Sequence, residues 1–155
     1  MTNGGCFCGA VRFEVTGAPF WKVICHCKSC RHTAGALAMA WTGFNKPQFT
    51  LLRGEPAIYE SSPGVLRGFC SRCGTTLTYE RQPKTGVAVL NARPGELYVA
   101  TITFDDPTVY PPDEHIWYGD RVPWFHVAED LPCHESLSAT QSHRQRLGPR
   151  QERGA

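Results

Sequence analysis

The chain is predicted to fold as a mainly β single domain. Short runs rich in β-branched and aromatic residues recur along its length. Fifteen glycines and twelve prolines punctuate them, and there is neither a long amphipathic helix nor a convincing internal repeat. At 155 residues, one domain can bury roughly two-thirds of the surface its unfolded chain exposes. Folding therefore need not depend on disulfides.

The elements follow in order. "AVRFEVT" (10–16) alternates apolar and polar residues, with Val11, Phe13 and Val15 on one face. "FWKVIC" (20–25) leads into a cysteine cluster, and only the region of "KSCRHTAGALA" (28–38) is expected to hold a helical turn or two. The runs "ALAMAWTGF" (36–44), "QFTLL" (48–52) and "AIYE" (57–60) come next, broken by Gly43, Pro47, Gly54 and Pro56. "VLRGF" (65–69) enters a cysteine knuckle and "TLTYE" (76–80) leaves it. "VAVLNA" (87–92), "LYVATITF" (97–104) and "EHIWY" (114–118) complete the strands.

The N-terminus "MTNGGCFCGA" shows neither a basic n-region nor an apolar h-region, and no run reaches the roughly 18 to 20 apolar residues of a membrane span. A soluble, cytoplasmic protein of a reducing compartment is expected, with no membrane partner. There, clustered cysteines point to metal or catalysis rather than to disulfides. The net charge is +2, but the end of the chain, from His143, carries four arginines and one glutamate, so the body is nearly neutral. A nearly neutral body leaves no electrostatic footprint for nucleic acid.

The cysteines carry the chemical signal. "CFCG" holds Cys6 and Cys8, "CSRCG" holds Cys70 and Cys73, and each pair is followed by glycine. Two thiolates on a tight turn can converge on one ion, and glycine lets the backbone fold back without a Cβ clash. The combination points to one closed four-cysteine zinc site. "CHCKSC" adds Cys25, Cys27 and Cys30 with no fourth partner in the same turn. Three protein ligands and an open position are how catalytic zinc sites are built. A fourth ligand closing that site could come from Cys133, His26, His32 or His134, and spacing alone leaves other partitions of the seven cysteines open.

Four pieces in succession, "CFCGAVRF", "CHCKSCR", "FCSRCGTTL" and "HIWYGDRVPW", resemble the glutathione-dependent formaldehyde-activating enzyme family, which shares its domain with centromere protein V. The match runs over residues 4–132, leaving 134–155 as a polar, basic tail expected to be disordered. The resemblance implies a β-tent zinc-binding fold of the guanine-nucleotide-exchange chaperone type. It assigns Cys6, Cys8, Cys70 and Cys73 to a structural zinc, and Cys25, Cys27 and Cys30 to a second, labile zinc at the active site. Cys133 lies outside the family's ligand pattern.

The activity implied is that of a carbon–sulfur lyase, forming or breaking S-hydroxymethylglutathione from a thiol such as glutathione and a small aldehyde. A coordinated thiol is deprotonated outright. A Lewis-acid role on the aldehyde oxygen is the weaker option, because three thiolates already donate much charge. The substrate's carboxylates need cations, for which Arg31 and Arg121 are the candidates. Trp41, Trp117 and Trp124 could wall a pocket, although aromatics in a β domain are more often core; His115 and Asp120 could transfer protons, but each reads more often as a strand-end or turn residue and neither is assigned as catalytic. The competing reading is a zinc-stabilised binding module without catalysis, and retention of the cysteine trio argues for the enzyme. No nucleotide fingerprint and no zinc-peptidase motif is present.

Overall fold

In a computed structural model, the structure describes residues 1–82, 95–126 and 130–137. The chain forms β1 (Thr2–Gly5), β2 (Arg12–Val15), β3 (Trp21–Cys25), α1 (Lys28–Ala34), β4 (Met39–Asn45), β5 (Phe49–Arg53) and β6 (Ala57–Ser62). β7 (Val65–Phe69), β8 (Thr76–Arg81), β9 (Glu96–Ala100) and β10 (Glu114–Ile116) follow. The mainly β expectation holds, and α1 falls where a helical turn was expected. The run 87–92 lies outside the described residues. No helix among the described residues is long and apolar enough to cross a membrane.

Two sheets form. The small one is β1-β2-β5, and the large one is ordered β10-β3-β4-β9-β8-β7-β6. All neighbours are antiparallel except β10, which runs parallel to β3. Because side chains alternate faces along a strand, the central strand β9 serves two cores. Leu97 and Val99 join Phe13, Val15 and Phe44 between the sheets. Tyr98 and Ala100 join Val23, Cys25 and Trp41 on the opposite face. Val11, Phe13 and Val15 are all buried, as their alternation requires, and full burial of such side chains contributes roughly 1.5–3 kcal/mol each.

Three differences from the sequence reading have physical causes. β1 was not expected, because "TNGG" carries no hydrophobic period. It forms by pairing with β2, and a Cβ at Gly4 would lie 2.4 Å from the Phe13 ring. The run 97–104 stops being a strand at Ala100, where a 3₁₀ turn (Thr101–Thr103) begins and the Thr103 hydroxyl bonds back to the Ala100 carbonyl at 2.7 Å. The run 114–118 ends at Ile116 because Trp117 adopts the left-handed conformation, φ 53°, which costs a non-glycine residue about 1–2 kcal/mol. Its N–H bonds to the Ser136 carbonyl at 3.1 Å, so residues 130–137 return to the body. His134 pairs with Glu114 at 3.0 Å, and Leu137 packs on the second core. Of the expected tail, residues 138–155 lie outside the described residues.

Candidate metal centres and the cavity beside them

The two knuckles meet at one end of the sheet pair. Cys6 and Cys8 follow β1, and Cys70 and Cys73 lie between β7 and β8. Each turn closes by a backbone bond, Gly9 N–H to the Cys6 carbonyl (2.9 Å) and Gly74 N–H to the Cys70 carbonyl (2.8 Å). Both glycines have positive φ, 71° and 77°, a conformation that L side chains resist. The knuckles also grip each other, the Phe7 N–H donating to the Thr75 hydroxyl at 3.1 Å.

The four sulfurs lie within 4.8 Å of one another. Thiolates bound at 2.3 Å to a tetrahedral centre stand about 3.8 Å apart. The Cys6–Cys8 and Cys8–Cys70 sulfurs are 3.6 and 3.9 Å apart. The donors therefore fit a four-coordinate, thiol-preferring ion such as zinc. Donors from the backbone favour thiolate: Val11 N–H points at the Cys6 sulfur, 3.2 Å away. Hydrogen bonds from the Thr75 hydroxyl and backbone pull the Cys73 thiol down to about 5.

The second group sits on the other face. Cys25 ends β3, Cys27 caps α1, and Cys30 lies in its first turn, where the Cys30 N–H donates to the Cys27 sulfur at 3.4 Å. These three sulfurs also lie within 4.8 Å of one another. Hydrogen bonds from the neighbouring thiols and burial push the Cys25 thiol up. Hydrogen bonds from Cys25 and Cys27, with the charge of Arg67, hold Cys30 down.

The sequence offered four residues to close this group, and among the described residues none joins it. Cys133 is exposed, its thiol turned to the Leu131 carbonyl. His134 is held by Glu114. His26 turns its ring away to His115, with 2.9 Å between Nε2 and Nδ1. His32 is exposed at the cavity wall. Two pairs of donors make a closed set, and the trio is left open.

It opens on a cavity of about 850 Å³. One side is α1, with Lys28, Ser29 and Thr33. The other is the β6–β7 hairpin, with Tyr59, Ser61 and Val65. The floor is a row of directly paired residues on one face of the large sheet: Tyr59, Arg67, Tyr79, Tyr98, Gly43 and Trp21. Ring centroids in this floor stand 5.7 Å apart for Tyr79–Tyr98 and 6.0 Å for Trp21–Tyr98. Of the expected pocket tryptophans, Trp41 and Trp117 line the cavity, while Trp124 is exposed elsewhere.

The arginines that line the cavity are not the two named from the sequence. Neither Arg31 nor Arg121 lines the cavity. Arg31 donates to the His26 and Asp120 carbonyls at 2.9 and 3.0 Å. Arg121 donates to the Tyr118 carbonyl at 3.1 Å and covers the Tyr118 ring. Arg31 thus ties the cysteine loop to the Tyr118–Asp120 turn, while Arg121 stays within that turn. The cavity's own arginines are Arg67 and Arg81. The signal that could have found Arg67 is a charged residue at a strand centre, as in "VLRGF", whereas Arg81 ends its strand. Of the proton-transfer candidates, Asp120 reaches the cavity rim, while His115 is buried against His26.

Residues 1–120 match the family described as glutathione-dependent formaldehyde-activating enzyme. Over 86 residues the chain is 36% identical to a Halomonas elongata protein provisionally named as such an enzyme, covering 50% of this chain and 54% of that one. Over 77 residues it is 32% identical to an uncharacterized lyase of Schizosaccharomyces pombe, covering 50% and 56%. The chain thus spans about half the length of the curated relatives it matches. A crystal structure of a Rhodobacter sphaeroides protein is similar over 84% of this chain and 98% of that one, with a TM-score of 0.53 at 17% identity, a likeness of fold alone.

Proposed function

Because the chain belongs to the glutathione-dependent formaldehyde-activating enzyme family, we propose that it is a zinc-dependent carbon–sulfur lyase. Its substrate is a thiol–aldehyde adduct, with glutathione and formaldehyde as the pair the family description suggests. The observation that carries this reading is the cluster of Cys25, Cys27 and Cys30, three sulfur donors opening on a cavity. Cys6, Cys8, Cys70 and Cys73 would hold a structural zinc and the trio a second one. Zinc bound at the trio would lower the pKa of an incoming thiol so that it reacts as thiolate near neutral pH.

In the forming direction the thiolate sulfur adds to the aldehyde carbon, the C=O π pair moves to oxygen, and that oxygen takes a proton. In reverse the adduct's hydroxyl loses its proton, the C–S bond breaks and the pair returns to sulfur. In the forming direction the Tyr79 hydroxyl supplies that proton, and the proton released by the thiol restores it. Its oxygen accepts from Arg81 Nε, which leaves its own O–H as the donor. Burial raises its pKa and keeps it protonated.

The adduct also forms without a catalyst, so the test is rate rather than product. Exchange NMR with ¹³C-formaldehyde and glutathione should show faster adduct exchange with the zinc-loaded chain than in buffer, and the acceleration should vanish in Cys27→Ser. No acceleration with any thiol–aldehyde pair would leave a zinc-stabilised binding module.

A further inference from the structure

Resting on that reading, the geometry points to a second determinant of the same cavity. We propose that Arg67, with Arg81 on the same tyrosine, binds a carboxylate of the thiol substrate, so the site selects an acidic, peptide-sized thiol. Arg67 is only 6% exposed. Its Nε donates to the Ser61 hydroxyl at 3.0 Å, and its Nη1 has no hydrogen-bond partner. Its guanidinium lies 4.9 Å from the Tyr79 ring centroid and that of Arg81 lies 5.4 Å from it.

No acidic side chain among the described residues pairs with either arginine. Two cations on one ring repel each other, and a buried guanidinium without an anion is unfavourable. The cysteine sulfurs that share the cavity do not use the planar guanidinium fork. A carboxylate does, through two parallel N–H···O bonds. The cavity volume argues the same way. About 850 Å³ is far more than an aldehyde needs and lies in the range of sites for ligands of drug size, roughly 300–1,000 Å³.

The test uses S-methylglutathione, which keeps both carboxylates but has no free thiol, so its binding does not depend on thiol capture or turnover. Calorimetry on the full chain should show binding that weakens roughly ten- to a hundredfold in Arg67→Gln, the loss expected for a charge-assisted hydrogen bond. The diethyl ester of the same compound should bind weakly to both proteins and equally so. Arg67→Lys, which keeps charge without the fork, should recover only part of the loss. Arg81→Gln should weaken binding of the acid but not of the ester, and it serves if Arg67→Gln does not fold. No binding of the acid by the unaltered chain, an unchanged affinity in a folded Arg67→Gln, or equal losses for acid and ester would overturn the proposal. A loss confined to the acid, in a chain that accelerates no adduct exchange, would uphold the carboxylate site and sink the lyase reading alone.

Discussion

The Nε2 atom of His26 lies 2.9 Å from Nδ1 of His115, and both rings are sealed from solvent. His26 stands between Cys25 and Cys27, and its N–H also donates to the Ile116 carbonyl at 3.0 Å. The pair therefore binds the cysteine loop to β10. His115→Phe leaves a buried ring nitrogen without its partner, which costs about 1–3 kcal/mol. Denaturant unfolding should show that loss, and the trio's metal should become easier to chelate while the four-cysteine metal stays put. Equal retention at both sites would mean that the histidine pair does not position the trio.

Metal content gives the next prediction. Purified under reducing conditions, the chain should hold one tightly bound zinc and a second that chelators remove more easily, as four donors and three donors differ. Cys70→Ser should unfold the chain, given apparent zinc-binding energies of about 10–16 kcal/mol in zinc-finger peptides. Cys27→Ser should stay folded and lose activity. Circular dichroism and elemental analysis decide the matter, and two variants equally unfolded would make the trio structural.

Arg31→Ala is expected to reduce stability, not substrate affinity. Its guanidinium is committed to the His26 and Asp120 carbonyls, bonds to a charged donor that contribute roughly 1.5–3 kcal/mol in favourable cases. A lower unfolding midpoint with unchanged S-methylglutathione affinity is the expected outcome. The opposite pattern would return Arg31 to the binding site.

Tyr79 should resist ionisation. Burial raises its pKa above the ordinary value near 10, against the lowering effect of Arg81. The folded chain then holds this proton in a window above pH 10 where the unfolded chain has lost it, so folding stability from this group falls as pH rises through that window. Titration of tyrosinate absorbance should lose its late-ionising component in Tyr79→Phe. A variant with the same titration as the parent, less one ordinary tyrosine, would contradict the burial argument.

Gly43 makes the floor possible. A Cβ there would lie 2.7 Å from the Phe20 ring and 3.2 Å from the Tyr98 ring, and these rings meet edge to face with centroids 5.7 Å apart. Gly43→Ala should cost about 1–3 kcal/mol through overpacking and should weaken S-methylglutathione binding as Tyr98 shifts. A stable variant with unchanged binding would show that the floor is more pliable than its packing implies.

The chain's sequence by itself determined the thiol chemistry and most of the strands. Both are local: the convergence of Cys6 with Cys8, or Cys27 with Cys30, is decided within a turn, and Val11, Phe13 and Val15 share a face through a period of two. Which knuckle partners which was suggested by the glycine that follows each pair and assigned only through family resemblance. Tertiary structure alone decided the cavity wall. Alternation shows which residues share a face, but not which strand lies alongside, and strand order and register across chain separations as long as Trp21 to Tyr98 bring Arg67 and Tyr79 beside the trio. Arg31 and Arg121 stood next to the motifs in sequence, yet the fold uses them to hold backbone carbonyls. Proximity along the chain is set by covalent bonds, whereas the arginines that face the cavity are set by the pairing of distant strands.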